Sequence, residues 1–406
     1  MKSRRVCVVG LGYIGLPTAA LLASNDYQVT GVDLNTYAVE TINQGRIHIV
    51  EPDLDAYVRS AVTAGKLKAY TQPEQADIYL ICVPTPFHED GDIPQPNIDY
   101  VLAATRSIAP LVKAGDMVIL ESTSPVGTTK RMGEVLQEAG VDLSTAYLAY
   151  CPERVLPGKI MVELVENDRV VGGLTPEATR KVSAFYRTFV RGEVLETDAP
   201  TAEMCKLTEN SYRDVNIAFA NELSLLCARS GINVWRLIEL ANRHPRVNIL
   251  QPGTGVGGHC IAVDPWFIVA SDPANARLIR TAREVNNSKT EWVIDQIKIA
   301  VADSSARTGN KPKIACLGLA FKPDIDDLRE SPAVHVATAL VSHGYDVVVV
   351  EPNIESHDTF ALALLDQAIA SADVVAVLVK HRQFVQLAKA GGLVGNNILD
   401  FCGVNR

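Results

Sequence analysis

The chain has 406 residues, 47% of them hydrophobic and 21% charged, which is more than one ordinary hydrophobic core organises, so two or three domains are expected. No stretch approaches the roughly 20 consecutive apolar residues of a membrane helix, and a formal charge of −9 argues against nucleic acid as the main partner, because phosphate binding needs clustered Lys and Arg. The eight cysteines are scattered with no CxxC pair, so neither a zinc knuckle nor a disulfide framework is expected, and no metal site is assigned.

The chain opens on an apolar strand, Arg5 to Val9, that runs into Gly10-Leu11-Gly12-Tyr13-Ile14-Gly15 and the start of a helix. A basic start leading directly into strand and glycines does not resemble a secretory leader, and a cytoplasmic protein is expected. A second strand from Tyr27 ends at Asp33, about 20 residues beyond the glycines. Glycine turn, helix and acid together form the βαβ context of a dinucleotide site. The turn lets a pyrophosphate approach the helix N-terminus, and Asp33 would accept hydrogen bonds from an adenosine ribose. A carboxylate at that place repels a 2′-phosphate, so NAD is favoured over NADP. Strand-like runs at 78–83 and Met117–Leu120 end in Pro84-Thr85-Pro86 and in the hydroxyl-rich segment 121–129. Thr85, Thr123 and Thr129 thus stand at carboxyl ends of strands, suited to cofactor contacts or to capping the next helices. Cys7, Cys82 and Cys316 lie inside apolar runs and are expected to be small buried hydrophobes.

Residues 201–307 are rich in helix formers and form a helical connector. Lys206, Asn210 and Arg213 are spaced i, i+4, i+7, a polar stripe on one face of a helix. Further on comes the glycine-rich loop Gly253-Thr254-Gly255-Val256-Gly257-Gly258-His259-Cys260, followed by Asp264. From Lys313 the N-terminal layout is echoed: strand and turn at 313–320, helix at 333–342, a strand Asp346–Val350 ending at Glu351, and a strand at 374–379. This second pattern lacks GxGxxG, so a different nucleotide is expected there. The fold class is α/β, with two doubly wound Rossmann-like domains (1–200 and 308–406) joined by a central helical region (201–307).

With the dinucleotide loop, the Lys206/Asn210 stripe, the cysteine loop and Asp264 in this order, the chain resembles the UDP-glucose/UDP-N-acetylmannosamine dehydrogenase family almost end to end. His259 before the cysteine and Val263 before Asp264 disfavour the UDP-glucose branch and favour the UDP-N-acetylmannosamine one. The resemblance implies a four-electron oxidation of the sugar C6 alcohol to a carboxylate with two NAD per turnover, serving surface polysaccharide synthesis. Cys260 would be the nucleophile, Lys206 and Asn210 would stabilise the C6 oxygen, and Asp264 and Glu153 would manage the proton of the hydrolytic water. NAD would be held by Gly10, Gly12, Tyr13, Ile14, Gly15, Asp33, Thr85, Thr123 and Thr129, with Arg329 on its pyrophosphate. The UDP-sugar would be held by Arg154, Val155, Lys206, Asn210, Arg213, His244, Arg246, Gly257, Phe321 and Lys322, Arg246 reaching a neighbouring subunit's site in a homodimer. Another UDP-sugar, such as UDP-N-acetylglucosamine or UDP-glucose, and a non-catalytic nucleotide-sugar binding protein remain the alternatives. One departure stands out: the family commonly carries Lys or Arg directly before a glycine near the C-terminus, where this chain has Cys402 before Gly403, with Arg406 as the nearby candidate replacement.

Overall fold

The computed structural model describes residues 4–88, 91–156, 158–258, 260–395 and 397–405; His259 and Arg406 lie outside them. The chain divides into two compact units, one of Met1–Glu209 with Trp266–Ser271, the other of Asn210–Pro265 with Asp272–Arg406.

The first unit is built on strands β1 (Arg5–Val9), β2 (Gln28–Val32), β3 (Leu67–Tyr70), β4 (Ile78–Ile81), the short hairpin β5 (Phe87–His88) and β6 (Gln95–Pro96), then β7 (Met117–Leu120), β8 (Tyr147–Tyr150), β9 (Arg169–Gly173) and β10 (Val194–Asp198). Eight of these make one sheet in the order β10-β9-β8-β7-β4-β1-β2-β3. All neighbours are parallel except β8 and β9. The central strands β4 and β7 are apolar throughout rather than alternating, because helices cover both faces, whereas the edge strands β3 and β10 carry exposed residues. Val6, Val8, Ile78 and Leu80 enter one core layer, while Cys7, Val9, Tyr79 and Ile81 enter the other. The chain reverses its direction of strand addition between β1 and β4, which places the ligand crevice of this sheet at Gly10–Gly15 and the loop after β4.

The second unit holds β11 (Lys313–Leu317), β12 (Asp346–Val350), β13 (Val374–Val377) and β14 (Ile398–Asp400), all parallel in the order β12-β11-β13-β14. It is the expected second doubly wound sheet, with its own reversal between β11 and β13. The strand expected over 374–379 stops two residues earlier, since the amides of Leu378 and Val379 both turn onto the Leu317 carbonyl. The connector is helical as expected. Its two longest helices, Ala199–Ser230 and Arg277–Thr308, are joined by a buried ion pair, Arg283 to Asp214 at 2.7 Å. Between the same helices Lys289 donates to Ser224, and burial pushes its ammonium down to about 7. On the first of these helices Lys206 and Asn210 are half-buried and Arg213 is exposed.

Candidate active site

In the first unit the three glycines have three distinct physical jobs. Gly10 takes φ +92° and donates its N–H to Val32 O at 2.8 Å, closing the turn onto β2. A methyl at Gly15 would lie 1.8 Å from the Gly10 carbonyl oxygen, so this glycine lets the helix Gly15–Ser24 start directly against the turn. Gly12 is the opposite case: a methyl there would meet no atom of the described residues within 4 Å. Internal packing therefore does not demand a glycine at 12, whereas close approach of a pyrophosphate does. Tyr13 and Ile14 are half-buried beside it. Asp33 accepts from the Leu11 N–H through Oδ2 and from the Asn35 N–H through Oδ1, both at 2.9 Å, which fixes a half-buried carboxylate at the edge of the loop. The residues fit an NAD-type dinucleotide. His48, given no role by the sequence, stands near Asp33; burial pushes its imidazole below the ordinary value, against the opposing pull of Asp33 and the Leu11 carbonyl.

The hydroxyls at the strand ends turn inward. Thr85 donates to the Thr123 carbonyl at 2.5 Å, and Ser122 donates to the Val83 carbonyl at 2.7 Å, stitching the loops after β4 and β7 together. Thr129 is fully buried. Its amide (2.7 Å) and hydroxyl (2.6 Å) both donate to Glu203 Oε1, and the Gly127 amide donates to Oε2. Thr129 thus binds a carboxylate that caps the helix Thr128–Glu138. Burial raises the Glu203 carboxyl above its ordinary value, against these same hydrogen bonds.

Glu153 is engaged within the protein as well. It is 6% exposed, its Oε2 is paired with the buried Arg169 at 2.6 Å, and its Oε1 accepts from the Arg154 N–H. So engaged, it ties the Arg154 backbone to Arg169. Arg154 itself pairs with Glu209 at 2.7 Å, and Val155 packs on the core. Cys82 is not a passive hydrophobe either. Its thiol donates to Glu121 Oε2 at 3.3 Å, Tyr186 donates to Glu121 Oε1 at 2.6 Å, and burial, reinforced by Glu121, pushes the thiol well above its ordinary value.

The cysteine loop belongs to the second unit. Gly255 and Gly257 could not carry side chains: a methyl at 255 would lie 2.3 Å from Thr290 Oγ1, and one at 257 would lie 2.4 Å from Glu330 O. Gly258, at φ +83°, passes over the Phe321 ring and donates its N–H to Arg329 O at 3.1 Å. Thr254 donates to Leu378 O and Thr290 to Thr254 O, both at 3.0 Å. The loop is thereby moulded against the segment 319–332 and the end of β13. Cys260 follows it, half-buried, with its carbonyl accepting the N–H groups of Val263 (3.1 Å) and Asp264 (2.8 Å) at the start of the helix Asp264–Ser271. Asp264 is 3% exposed, and the Asn210 amide donates to its Oδ2. Cys260, Asp264 and Asn210 are brought together, and Lys206 stands one turn before Asn210 on the same helix.

Phe321 and Lys322 are half-buried on the loop after β11. Arg329 is clamped by Asp327, with Nη2 to Oδ2 at 2.6 Å. His244 and Arg246 are exposed in a turn where the Arg246 N–H donates to His244 Nδ1. The acid at the end of β12 shows why this sheet differs from the first. Gly318 repeats the Gly10 turn, with φ +100° and its N–H on Val350 O at 2.8 Å. Glu351, however, is buried and takes the N–H groups of Leu319 and Ala320 and His381 Nε2 on one oxygen, and both nitrogens of Asn353 on the other. A carboxylate so occupied cannot bind a ribose as Asp33 can.

Three consecutive segments match the UDP-glucose/GDP-mannose dehydrogenase family: its NAD binding domain over residues 4–190, its central domain over 200–288 and its UDP binding domain over 315–404. The chain is 59% identical over 402 residues, 95% of each chain, to the UDP-N-acetyl-D-mannosamine dehydrogenase of Escherichia coli strain K12. It is 56% identical over 398 residues to the NDP-N-acetyl-D-galactosaminuronic acid dehydrogenase of Ralstonia solanacearum, covering 95% of this chain and 92% of that one. The structure of the UDP-N-acetyl-mannosamine dehydrogenase Cap5O from Staphylococcus aureus superposes with a TM-score of 0.88 at 43% identity, covering 98% of this chain and 95% of the other. Among the described residues no helix is long and apolar enough to cross a membrane. The chain belongs to the UDP-glucose/GDP-mannose dehydrogenase family and is an NAD-dependent UDP-sugar dehydrogenase.

Proposed function

We propose that the protein oxidises UDP-N-acetyl-D-mannosamine at C6 to UDP-N-acetyl-D-mannosaminuronate, through a thiohemiacetal and then a thioester on Cys260. Bound NAD supplies the hydride acceptor, one molecule for each of the two oxidations. The Cys260 thiolate adds to the C6 aldehyde formed first. The resulting thiohemiacetal loses a hydride to become a thioester, and water cleaves that ester to the carboxylate, returning the thiol. The observation that carries this assignment is Cys260 on a glycine-moulded loop with Asp264 fixed beneath it by Asn210. Lys206 and Asn210 stabilise the developing negative oxygen at C6. Asp264 takes the proton of the hydrolytic water, with Glu153 as the second candidate for that duty.

The sugar is assigned from the names borne by the relatives at 59% identity and from Val263 before Asp264. Arg154, Arg213, His244, Arg246, Phe321 and Lys322 grip the UDP-sugar in this scheme, and Arg329 exchanges Asp327 for the NAD pyrophosphate. A homodimer is part of the proposal. Tyr212, Phe219 and Leu226, seven residues apart on one helix, are 71%, 53% and 53% exposed, an apolar stripe suited to a second copy of the chain. Arg246 would then extend into the partner's site. The product would be an acidic sugar nucleotide for polysaccharide synthesis in the cytoplasm. The test is NADH formation with a panel of UDP-sugars. Two NADH per UDP-N-acetylmannosamine is the expected result. No NADH with any UDP-N-acetylhexosamine, or a far greater rate with UDP-glucose, would refute the assignment.

A further inference from the structure

The loop that carries Cys260 is clamped at its root by the two long helices. Gly253, seven residues before the cysteine, donates its N–H to Asn221 Oδ1 at 3.0 Å. The next residue, Thr254, offers its carbonyl to the Thr290 hydroxyl, also at 3.0 Å. Asn221 and Thr290 are both buried, one on the helix Ala199–Ser230 and the other on the helix Arg277–Thr308. The Asn221 amide is held on its other side as well. Its Nδ2 donates to Asn286 Oδ1 at 2.9 Å, and Asn286 Nδ2 donates in turn to Asp214 Oδ1 at 2.8 Å. A backbone N–H at one end of this line can only donate, and the carboxylate at the other end, paired with Arg283, can only accept. The two amides between them therefore have a single orientation that meets every partner, and a buried group left unmet is costly.

The helix face that bears Asn221 is also the one that bears Lys206 and Asn210. Lys206, Asn210, Asp214 and Asn221 follow at spacings of four, four and seven, which keeps them within about 80° of one another around the helix axis. Asn210 holds Asp264, four residues after Cys260, and Asn221 holds Gly253, seven residues before it. Both ends of the cysteine segment are thus referred to one helix, at points about 16 Å apart along its axis. Thr290 adds a lateral contact from the second helix, since its hydroxyl takes the room that a side chain at Gly255 would need. The hydrogen bonds that Asn221 and Thr290 make to the loop go to its backbone.

We infer that Asn221 and Thr290 are positioning residues for Cys260: they fix the root of its loop on the helix that carries Lys206 and Asn210, and so set the thiol at the sugar C6. The inference rests on Cys260 being the nucleophile, and steady-state kinetics of uronate formation by the full-length protein, with Cys260→Ser measured alongside, separate the two claims. Asn221→Leu should lower kcat by about tenfold or more, because a small displacement of a reacting group costs rate steeply, while KM for the UDP-sugar and for NAD stays within about twofold of wild type. Thr290→Val keeps the shape of the side chain and removes only the hydroxyl. It should lower kcat by about threefold to tenfold, again with KM unchanged. Thr290→Ser, which keeps the hydroxyl, should turn over within about twofold of wild type. Should Asn221→Leu fail to fold, the two Thr290 variants decide the matter. Wild-type kcat in either folded Asn221→Leu or Thr290→Val overturns the inference. Equal losses in Thr290→Val and Thr290→Ser also overturn it, since they would make Thr290 a matter of packing volume, and so does a loss carried by KM. Uronate formation at the wild-type rate by Cys260→Ser would instead remove the nucleophile itself, and the inference with it.

Discussion

Glu351 allows a quantitative test of how the nucleotide sheet is held together. Its carboxyl, buried against a cost that would raise its pKa, is held down at about 2, from an ordinary 4.5, by the hydrogen bonds from His381, Leu319 and Ala320. Because the folded value is depressed, the stabilisation is complete above pH 4.5 and disappears as the pH falls through 2. A shift of that size corresponds to about 3 kcal/mol. The hydrogen-bond pattern gives a similar figure. One carboxylate oxygen receives three donors and the other receives two. In Glu351→Gln, either orientation of the amide turns an N–H group toward at least two of them, at about 1–3 kcal/mol for each unmet donor. Urea unfolding of wild type and Glu351→Gln between pH 7 and pH 3 is the assay. Tryptophan emission is a suitable signal, because Trp292 packs edge-on against Phe401 beside β14. The variant should be less stable by about 3 kcal/mol at neutral pH, and the gap should narrow by about half at pH 3 as wild type loses its advantage. A gap that stays constant over that range would refute the role given to the carboxylate.

Gly12→Ala meets open space in the protein, so its melting temperature should hold or rise slightly while NAD affinity falls at least about tenfold; a stable variant with unchanged NAD affinity would remove the pyrophosphate from that turn. Asp33→Ala should weaken NAD by about tenfold and narrow its preference over NADP, measured by parallel titrations with the two cofactors. Unaltered discrimination would place the ribose elsewhere. Cys260→Ser should bind NAD and UDP normally but lose uronate formation by about a thousandfold or more in product assays. Wild-type uronate production would exclude covalent catalysis through Cys260.

Features carried by contiguous residues are legible in the sequence. Gly10, Gly12, Gly15 and Asp33 sit in one βαβ unit, whose chemistry is local. The glycines ahead of Cys260 are likewise visible in the sequence, and the Glu330 carbonyl and the Thr290 hydroxyl stand close against them. Pairings between distant elements are not legible in the same way. Thr129 has the residue type and position of a cofactor ligand, but Glu203, 74 residues away, lies against it. Glu153 has the chemistry of a proton carrier, but Arg169 reaches it from β9. Glu351 marks a strand end resembling that of Asp33, but His381 and the Leu319–Ala320 turn take up its oxygens. In each case the sequence conveys a polar residue and its neighbourhood along the chain. Its partner is fixed by packing, which spacing along the chain does not encode.

The Glu203 cap makes the cofactor domain depend on chain that follows it. The family's NAD segment ends at residue 190 and its central segment starts at 200, yet the carboxylate that closes the helix Thr128–Glu138 comes from residue 203. A fragment cut at 200 would leave the amides of Gly127 and Thr129 without their acceptor at the start of a helix beside the cofactor crevice. The domain is therefore not an exchangeable cassette with its seam at residue 200. A graft or truncation that preserves it must carry the first turns of the long helix along, and the seam tolerated by folding lies beyond the one drawn by sequence similarity.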